Sequence, residues 1–373
     1  MKSYDVDAIV AVHDPARPVE RCVRSIDEGT SSSVRLRISV VCHNIDVEEI
    51  RAVFSGPVPE RVRFLELRDG IRSPAGPFNA GIDAADAEYV STVGSDDLLE
   101  PGALDAWWAV ASRTGADAVL APIRTDDGLV QTPLLRPRGP SPLDPLHDRL
   151  VERTAPLGLL RTRTLDRIGY RYTEGGLGNG EDIEPALRLW FLGRRIEYPY
   201  GAPAYRVTDA MGSARQTAVI GPLARELAFL PLLLEQSWVR ALPSAHLDAV
   251  LVKVLRRQAI AAIRRRAGLP PVHVDAFSEA DAAFLRGELA RIERVRGRMP
   301  RGLSIAEARI LSVASSGDAR SLRELLSLLS RPRLAKIIAR RPLESLASEG
   351  PIRQQLRTLA LARRSPIRDQ GPG

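Results

Sequence analysis

The stretch Val90-Ser-Thr-Val-Gly-Ser-Asp-Asp-Leu-Leu-Glu-Pro-Gly-Ala-Leu104 decides how the first half of the chain is interpreted. An apolar run typical of a buried strand ends here in two adjacent carboxylates, Asp96 and Asp97, and a helix with proline at its start follows. Two carboxylates at the C-terminal end of a strand can hold a hard divalent cation through oxygen ligands. The alternative is that Asp97 only caps the following turn, and the dipeptide by itself favours neither interpretation.

Strand and helix patterns alternate on both sides of this stretch. They predict strands at residues 6–12, 36–42, 62–67, 88–93 and 117–123, and helices at residues 18–28, 79–86 and 101–113. This alternation predicts an α/β fold with a mostly parallel sheet flanked by helices. Ligands of such sheets bind outside the carboxyl ends of the strands, which is where Asp96 and Asp97 lie. Residues 125–148 are interpreted as a long surface connection.

A second acidic pair lies further along, after a strand-turn-helix pattern at residues 157–169 and a glycine-rich loop at residues 175–180. Glu181 and Asp182 begin a predicted helix that ends at residue 192, and a last strand follows at residues 195–198. A helix dipole keeps a carboxylate at this end ionised, which suits a general base. For an isolated Glu-Asp pair, however, ordinary N-capping is the favoured interpretation.

Beyond about residue 217 the pattern becomes helical throughout, which predicts an all-α domain smaller than the first. Segments with helical periodicity lie at residues 223–234, 247–266, 279–298, 305–312, 319–329 and 333–347. The segment at residues 252–266 is basic and amphipathic, so it could lie on an anionic membrane surface. A solvated bundle face or a homo-oligomer interface is the favoured interpretation. The Pro/Gly-rich residues 364–373 are expected to be a disordered tail.

Composition narrows the class of protein. The chain has 373 residues and a net charge of +7. From Gly221 onward lie 27 of the 53 Lys/Arg residues and 14 of the 46 Asp/Glu residues. The net charge is therefore about +13 in this part and about −6 in the part before it. Two cysteines, without a signal peptide or a membrane-span pattern, indicate a cytoplasmic protein. Few aromatic residues in the basic region argue against nucleic-acid binding, and the histidine pattern argues against a zinc site.

Over about residues 5–215 the order and spacing of these motifs resemble the inverting family 2 glycosyltransferases of the GT-A fold. Four other pieces join the Glu-Asp pair in this likeness: residues 8–15, residues 79–82, Ser95-Asp96-Asp97 and residues 159–169. The resemblance implies a GT-A catalytic domain at residues 1–217, a helical domain at residues 218–363 and transfer of a sugar from a nucleotide donor, most simply a UDP-sugar. The implied acceptor is a hydroxyl of a cell-envelope glycan, polymer or lipid-linked intermediate, which a cytoplasmic enzyme could reach at the inner face of the membrane.

The resemblance also implies a role for each matching residue. Asp96 would ligate Mg²⁺ or Mn²⁺ on the donor diphosphate, with Asp97 in support. Asp182 would be the general base, with Glu181 as the alternative. The donor pocket would be lined by the following residues: Val12, His13, Asp14, Asp46, Arg72, Asn79 and Ser95. Independently of the resemblance, Arg206 and Arg215 follow the last strand, where they could bind the diphosphate once a loop closes. A solvated basic turn is an equal alternative for the last two.

Several departures from the family pattern bear on these roles. Gly94 stands where the family has the first aspartate of its metal motif, and Cys42-His43-Asn44 replaces the acidic end of the second strand, which leaves Asp46 as its nearest carboxylate. Phe78 replaces an arginine, for which Arg72 could substitute. These changes motivate a second hypothesis, a non-catalytic binding or assembly subunit on the same scaffold. The Gln-x-x-Arg-Trp motif of processive synthases is absent, which favours addition of one sugar per event.

Overall fold

The computed structural model describes residues 2–130, 142–175, 177, 179–208, 221–266 and 277–329, with residues 338, 339, 344, 350, 352 and 356. The chain divides into two compact units, residues 1–216 and residues 217–373. The described residues of the first unit combine strands and helices, and those of the second are almost wholly helical.

The strands of the first unit belong to two sheets. In chain order they are β1 (Tyr4–Val12), β2 (Leu36–His43), β3 (Val62–Leu67), β4 (Ala87–Gly94), β5 (Leu98–Leu99), β6 (Ala118–Leu120), β7 (Ile123–Thr125), β8 (Gly128–Leu129), β9 (Gly158–Arg161), β10 (Ile196–Glu197) and β11 (Tyr205–Arg206). The larger sheet has the order β10-β6-β9-β4-β1-β2-β3 and the smaller one the order β5-β11-β7-β8. The larger sheet is parallel except at β9, which runs antiparallel to β4 and β6. The predicted mostly parallel α/β fold is therefore confirmed.

The central strand β1 shows why the sheet forms. Residues 5–10 are all buried, as expected for a strand covered on both faces. Its neighbours are β2 and β4, and the register pairs Val12 with Cys42 and Ala11 with Gly94. The carboxyl ends of these three strands consequently meet at one edge of the sheet, which is where ligands of such folds bind.

Six helices connect these strands: α1 (Val19–Asp27), α2 (Val47–Arg51), α3 (Ala75–Ala84), α4 (Ala103–Thr114), α5 (Thr162–Ile168) and α6 (Ile183–Leu192) among the described residues. Helix α3 begins four residues before the predicted start, because Pro77 lies in the first turn, where a missing N–H costs no helical hydrogen bond. Gly81 lets α3 approach β1, since a Cβ there would lie 2.3 Å from Cγ2 of Ile9.

The strand predicted at residues 117–123 is in fact two strands in different sheets. Pro122 separates β6 from β7; it has no N–H to continue a ladder, and its carbonyl accepts a hydrogen bond of 2.8 Å from Tyr205 N in β11. The smaller sheet thereby brings β11 beside β5, directly after Asp97. The hairpin of β7 and β8 also occupies the start of the predicted long connection, of which residues 131–141 lie outside the described residues.

The second unit contains α7 (Leu223–Glu226), α8 (Phe229–Glu235), α9 (Ser237–Arg240), α10 (Ser244–Lys253), a π-helical segment (Val254–Ala259), α11 (Ile260–Arg266), α12 (Glu279–Arg296), α13 (Ile305–Ser316) and α14 (Ala319–Leu329). Capping boxes begin α12 at Ser278 and α13 at Ser304. Of the helix predicted at residues 333–347 only 338, 339 and 344 are described, and Ala339 forms a β-bridge with Ser304. The predicted tail lies outside the described residues.

The basic segment of this unit is largely internal. Lys253 and Arg266 are fully buried. Arg256 pairs with Glu307 at 2.5 Å, and both Arg265 and Arg266 pair with Glu226. These ion pairs favour a bundle interior over a free basic face for most of the segment. Among the described residues, no helix combines the length and apolar character needed to cross a bilayer.

Candidate active site

Asp97 is fixed in place by the smaller sheet. Its Oδ2 accepts a hydrogen bond of 2.7 Å from the hydroxyl of Tyr205, and its Oδ1 accepts one of 3.0 Å from Thr208 N. The Tyr205 hydroxyl also accepts a bond of 2.9 Å from Gly94 N. Burial, and then the charge of Asp97, raise the pKa of Tyr205 well above its ordinary value, so the hydroxyl remains a donor. Asp97 therefore ties the turn after β4 to β11.

Asp96 lies in the same turn and is partly exposed. Its Oδ2 accepts a hydrogen bond of 2.5 Å from Nη1 of Arg17, in the loop between β1 and α1. Its main-chain carbonyl accepts from the hydroxyl of Thr208. Within the described part of the chain, Oδ1 of Asp96 receives no hydrogen bond. That oxygen is the one that a cation could take.

Gly94 makes room for the two carboxylates. A Cβ at this position would lie 2.7 Å from Oδ2 of Asp97 and 3.1 Å from Oδ1 of Asp96, so a side chain here would push them aside. The described residues contain no group of three or more His, Cys, Asp or Glu arranged to hold a metal. Mg²⁺ commonly binds through one or two carboxylates plus phosphate oxygens and water. The turn fits such a cation only with Asp96 as its protein ligand.

The end of β1 forms the wall next to this turn. Val12 is buried, whereas His13 is exposed and Oδ1 of Asp14 accepts a bond of 2.8 Å from Ala16 N. Desolvation, and then the charge of Arg17, lower the pKa of His13. His13 is therefore mainly neutral near pH 7, with its ring available as a neutral donor or acceptor.

The end of β2 holds a carboxylate that the sequence interpretation missed. Nε2 of His43 lies 2.8 Å from Oδ1 of Asp69, and Nδ2 of Asn44 donates to the same oxygen at 3.2 Å. Burial alone would raise the pKa of Asp69, but hydrogen bonds from Ile71 N, His43 and Asn44 hold it below its ordinary value. Gly76 leaves space here, since a Cβ would lie 2.7 Å from the other oxygen of Asp69.

Asp46, expected to be the carboxylate at this strand end, instead pairs with Arg68 and is largely exposed. Asp69 is the carboxylate beside His43, and its place two residues after β3 was the available signal, because β3 ends at the same sheet edge. Arg72 is exposed. The donor-binding roles of Asp46 and Arg72 stay predictions.

Asn79 anchors the segment that leads to the second acidic pair. Its amide exchanges two hydrogen bonds of 2.9 Å with the backbone of Tyr172 and donates to Glu174 at 2.7 Å. Asn79 is 5% exposed, so it is enclosed by these partners. Thr173 N in turn donates to the carbonyl of Glu181 at 2.9 Å. Asn79, predicted to line the donor pocket, thus supports the acidic pair in this structure.

Glu181 and Asp182 lie half-buried at the start of α6. Burial, and then the adjacent charge of Asp182, raise the pKa of Glu181. The Asp182 side chain makes no capping hydrogen bond to α6, so the N-capping interpretation does not account for it. The pair combines a negative charge with a proton affinity above that of an ordinary glutamate, as a general base requires.

The end of β4 connects the two acidic clusters. The hydroxyls of Thr92 and Tyr172 lie 2.9 Å apart. Burial is the main cause that raises the pKa of Tyr172 to about 12, and the charges of Asp182 and Glu181 add to it. Thr92 is two residues before Gly94 on the same strand. Both clusters therefore flank the carboxyl end of β4.

The remaining predicted residues lie nearby or outside the described residues. Ser95 is buried in the turn, and Arg206 is an exposed residue of β11. Arg215 falls in residues 209–220, outside the described part. None of these placements tests a ligand-binding role.

Comparison with known proteins places the fold. No family model matches the sequence, and no curated protein matches it. Solved structures of S. aureus TarS do match. TarS 1–349 with UDP-GlcNAc has a TM-score of 0.68 at 16% identity, covering 87% of this chain and 91% of that chain. TarS 1–349 with UDP has a TM-score of 0.64 at 16% identity, with the same coverage. A longer TarS chain has a TM-score of 0.64 at 17% identity and is covered to 55%. At such identities the likeness establishes a shared fold.

Proposed function

We propose that this chain is an inverting glycosyltransferase that moves a single sugar from a UDP-sugar to a hydroxyl acceptor. The observation that carries the proposal is the pair of acidic clusters flanking the carboxyl end of β4, joined through Thr92 and Tyr172. In this fold, ligands bind at that edge of the sheet. TarS, which shares the fold, binds UDP-GlcNAc and UDP.

Asp182 is proposed to accept the proton of the acceptor hydroxyl, and Glu181 to keep the pair strongly basic. As the proton leaves, the acceptor oxygen forms a bond to the anomeric carbon while the carbon–oxygen bond to the diphosphate breaks. Attack from the side opposite the leaving group inverts the anomeric configuration. The pKa of Glu181, raised by burial and by the neighbouring charge of Asp182, supports a pair that accepts a proton more readily than an isolated glutamate does.

The donor diphosphate is proposed to lie at the Gly94–Asp97 turn. Asp97, bonded to Tyr205 and Thr208, keeps the turn in shape. Mg²⁺ or Mn²⁺, when bound, would neutralise negative charge on the leaving group. Asp96 would hold it through Oδ1.

The nucleoside is proposed to lie across the ends of β1 and β2. His13 would offer a neutral ring there, and His43, Asn44 and Asp69 form a hydrogen-bonded polar set at the neighbouring strand end. The exposed His13 at the end of β1 suits contact with a flat base, and the hydrogen-bonded carboxylate of Asp69 suits the two hydroxyls of a ribose. These residues supply orientation rather than chemistry.

The acceptor is proposed to be a cell-envelope glycan, polymer or lipid-linked intermediate on the cytoplasmic side. Membrane contact or self-association through the helical unit would use its exposed residues, because Arg256, Arg265 and Arg266 are engaged in ion pairs. Vesicle co-sedimentation and light scattering of the full chain test these two points.

The direct test of the function is nucleotide binding followed by transfer. The full chain is screened by thermal shift against UDP- and GDP-sugars with Mn²⁺, because a ligand of the folded state raises Tm. We expect a UDP-sugar to raise Tm and to be hydrolysed slowly. The proposal fails if neither series shifts Tm and no hydrolysis is measured.

A further inference from the structure

Arg17 brings a positive charge to the carboxylate that would receive the cation. Its Nη1 lies 2.5 Å from Oδ2 of Asp96, and the two side chains are 16% and 21% exposed. The pair is thus partly exposed, so that a ligand can reach it. Arg17 was not predicted as a site residue, because one arginine in an arginine-rich chain carries no signal by itself.

The surroundings make this pair important. Both oxygens of Asp97 accept hydrogen bonds from Tyr205 and Thr208, and Gly94 contributes no carboxylate. Within the described part of the chain, Asp96 is left as the one carboxylate of the turn with an oxygen that accepts no hydrogen bond, and Arg17 already balances its charge. A divalent cation at Asp96 would be repelled by this guanidinium, which weakens its binding.

A phosphate group offers Arg17 a second partner. A planar guanidinium can bind phosphate oxygens through two parallel hydrogen bonds. In its pair with Asp96, Arg17 donates through Nη1, so the two-bond geometry is not used. The loop that carries Arg17 is held by a hydrogen bond of 3.1 Å from Arg17 N to the carbonyl of Asp14, so the side chain extends from a fixed backbone. A short rotation of the side chain would transfer it from Asp96 to a neighbouring diphosphate.

We propose that Arg17 is the residue that binds the donor diphosphate, exchanging Asp96 for phosphate oxygens, so that nucleotide binding does not require a divalent cation. The inference rests on the proposed function, because it assumes that a nucleoside diphosphate occupies this turn. It goes further by naming Arg17 as the side chain whose positive charge binds the diphosphate. Asp96, once released by Arg17, would be the residue that holds a cation, and the chemistry such a cation would supply is neutralisation of the leaving group rather than binding of the donor.

The test is calorimetric titration of UDP, and in a parallel series GDP, into the full chain with EDTA or with Mn²⁺. We expect the Kd of the wild type for the nucleotide that binds to differ by less than about threefold between the two buffers. Arg17→Gln should weaken binding in EDTA by about tenfold or more, since a hydrogen bond to a charged group is lost. Arg17→Lys should recover part of the loss.

Arg24→Gln is the matched control, because Arg24 lies in α1, the helix that follows Arg17, but pairs with Glu20 and Glu28 instead. It should bind nucleotide as the wild type does. A second measurement needs no nucleotide: Mn²⁺ binding followed by electron paramagnetic resonance should tighten by about threefold or more in Arg17→Gln, because a repelling charge is removed.

Two results would overturn the inference alone: wild-type UDP or GDP binding that disappears in EDTA, or Arg17→Gln binding as tightly as the wild type in EDTA. Failure of both nucleotides to bind the wild type in either buffer would overturn the proposed function together with it. Circular dichroism melting of each variant ensures that lost binding is not lost folding.

Discussion

The two acidic clusters at the end of β4 are stabilised in opposite ways. On the donor side, Asp96 pairs with Arg17, and Asp97 accepts bonds from Tyr205 and Thr208. On the acceptor side, Glu181 lies half-buried next to a second carboxylate, and its pKa is raised. The donor side thus holds its carboxylates in place through an ion pair and hydrogen bonds, whereas the acceptor side raises the proton affinity of Glu181 at a cost in stability. The difference supports the proposal that the first cluster binds the donor and the second accepts the proton.

The largest expected effect comes from the acceptor side. Asp182→Asn should lower turnover by about 10²–10⁴-fold, the usual loss for a general base, while UDP-sugar binding is retained. Steady-state transfer rates and calorimetry on the same preparations measure both. Glu184→Gln is a control on the same helix, where Glu184 pairs with Arg188. A variant Asp182→Asn with near wild-type turnover would remove the base from this cluster.

Asn79→Ala tests whether the acceptor side depends on its support. It removes the bonds to Tyr172 and Glu174, so we expect a loss of about 2–4 kcal/mol in the free energy of unfolding, since buried backbone groups lose their partners. If Asn79 acts on the acidic pair, kcat should fall and the Kd for UDP should change little. Weakened UDP binding with unchanged kcat would return Asn79 to the donor pocket. Chemical denaturation and single-turnover rates provide the data.

Tyr205→Phe makes the equivalent change on the donor side. The missing hydroxyl leaves Gly94 N and Asp97 without one partner each, and we expect a loss of about 1–3 kcal/mol of stability. Here the KM for the donor should rise more than kcat falls, the reverse of Asn79→Ala. Tyr4→Phe, at the far end of β1, is a matched control. Equal effects of Tyr205→Phe and Asn79→Ala on kcat and KM would show that the two sides do not act separately.

The smallest effect concerns stability and pH. The raised pKa of Glu181 means that the folded state loses stability as the pH rises through that pKa, because the carboxylate must then ionise beside Asp182. Glu181→Gln removes this loss, so at pH 7 its Tm should exceed that of the wild type by about 2–4 °C, the effect of about 1 kcal/mol in a domain of this size. Below about pH 4, where the unfolded glutamate is protonated, the difference should vanish.

Melting curves of both proteins between pH 4 and pH 8 test this sign. A difference that grows towards acid pH would mean that Glu181 is stabilised as the ionised form and that the contrast between the two sides is wrong. Turnover of Glu181→Gln should fall less than that of Asp182→Asn if Asp182 is the base.

By itself, the sequence determined the α/β fold and the places of both acidic clusters. Apolar runs specify β1, β2 and β4 because these strands are buried on both faces of the sheet, and their ends follow directly from where those runs stop. The edge strand β3 is only half-buried and carries Arg63 and Glu66 among its apolar residues. The predictions were wrong at two prolines. Helix α3 was predicted to begin after Pro77, although Pro77 lies in its first turn, and one strand was predicted where Pro122 separates β6 from β7.

Only the tertiary structure decided which partner each acidic side chain has. Arg17 and Asp96 are 79 positions apart, Asp97 and Tyr205 are 108, and Asn79 and Tyr172 are 93. No periodicity relates residues at such separations, because sheet order and loop paths bring them together. The same reason explains Asp69, which takes the place beside His43 that Asp46 was expected to hold. Hydrophobic burial sets where the chain runs, and hydrogen bonds between distant segments set what its site can do.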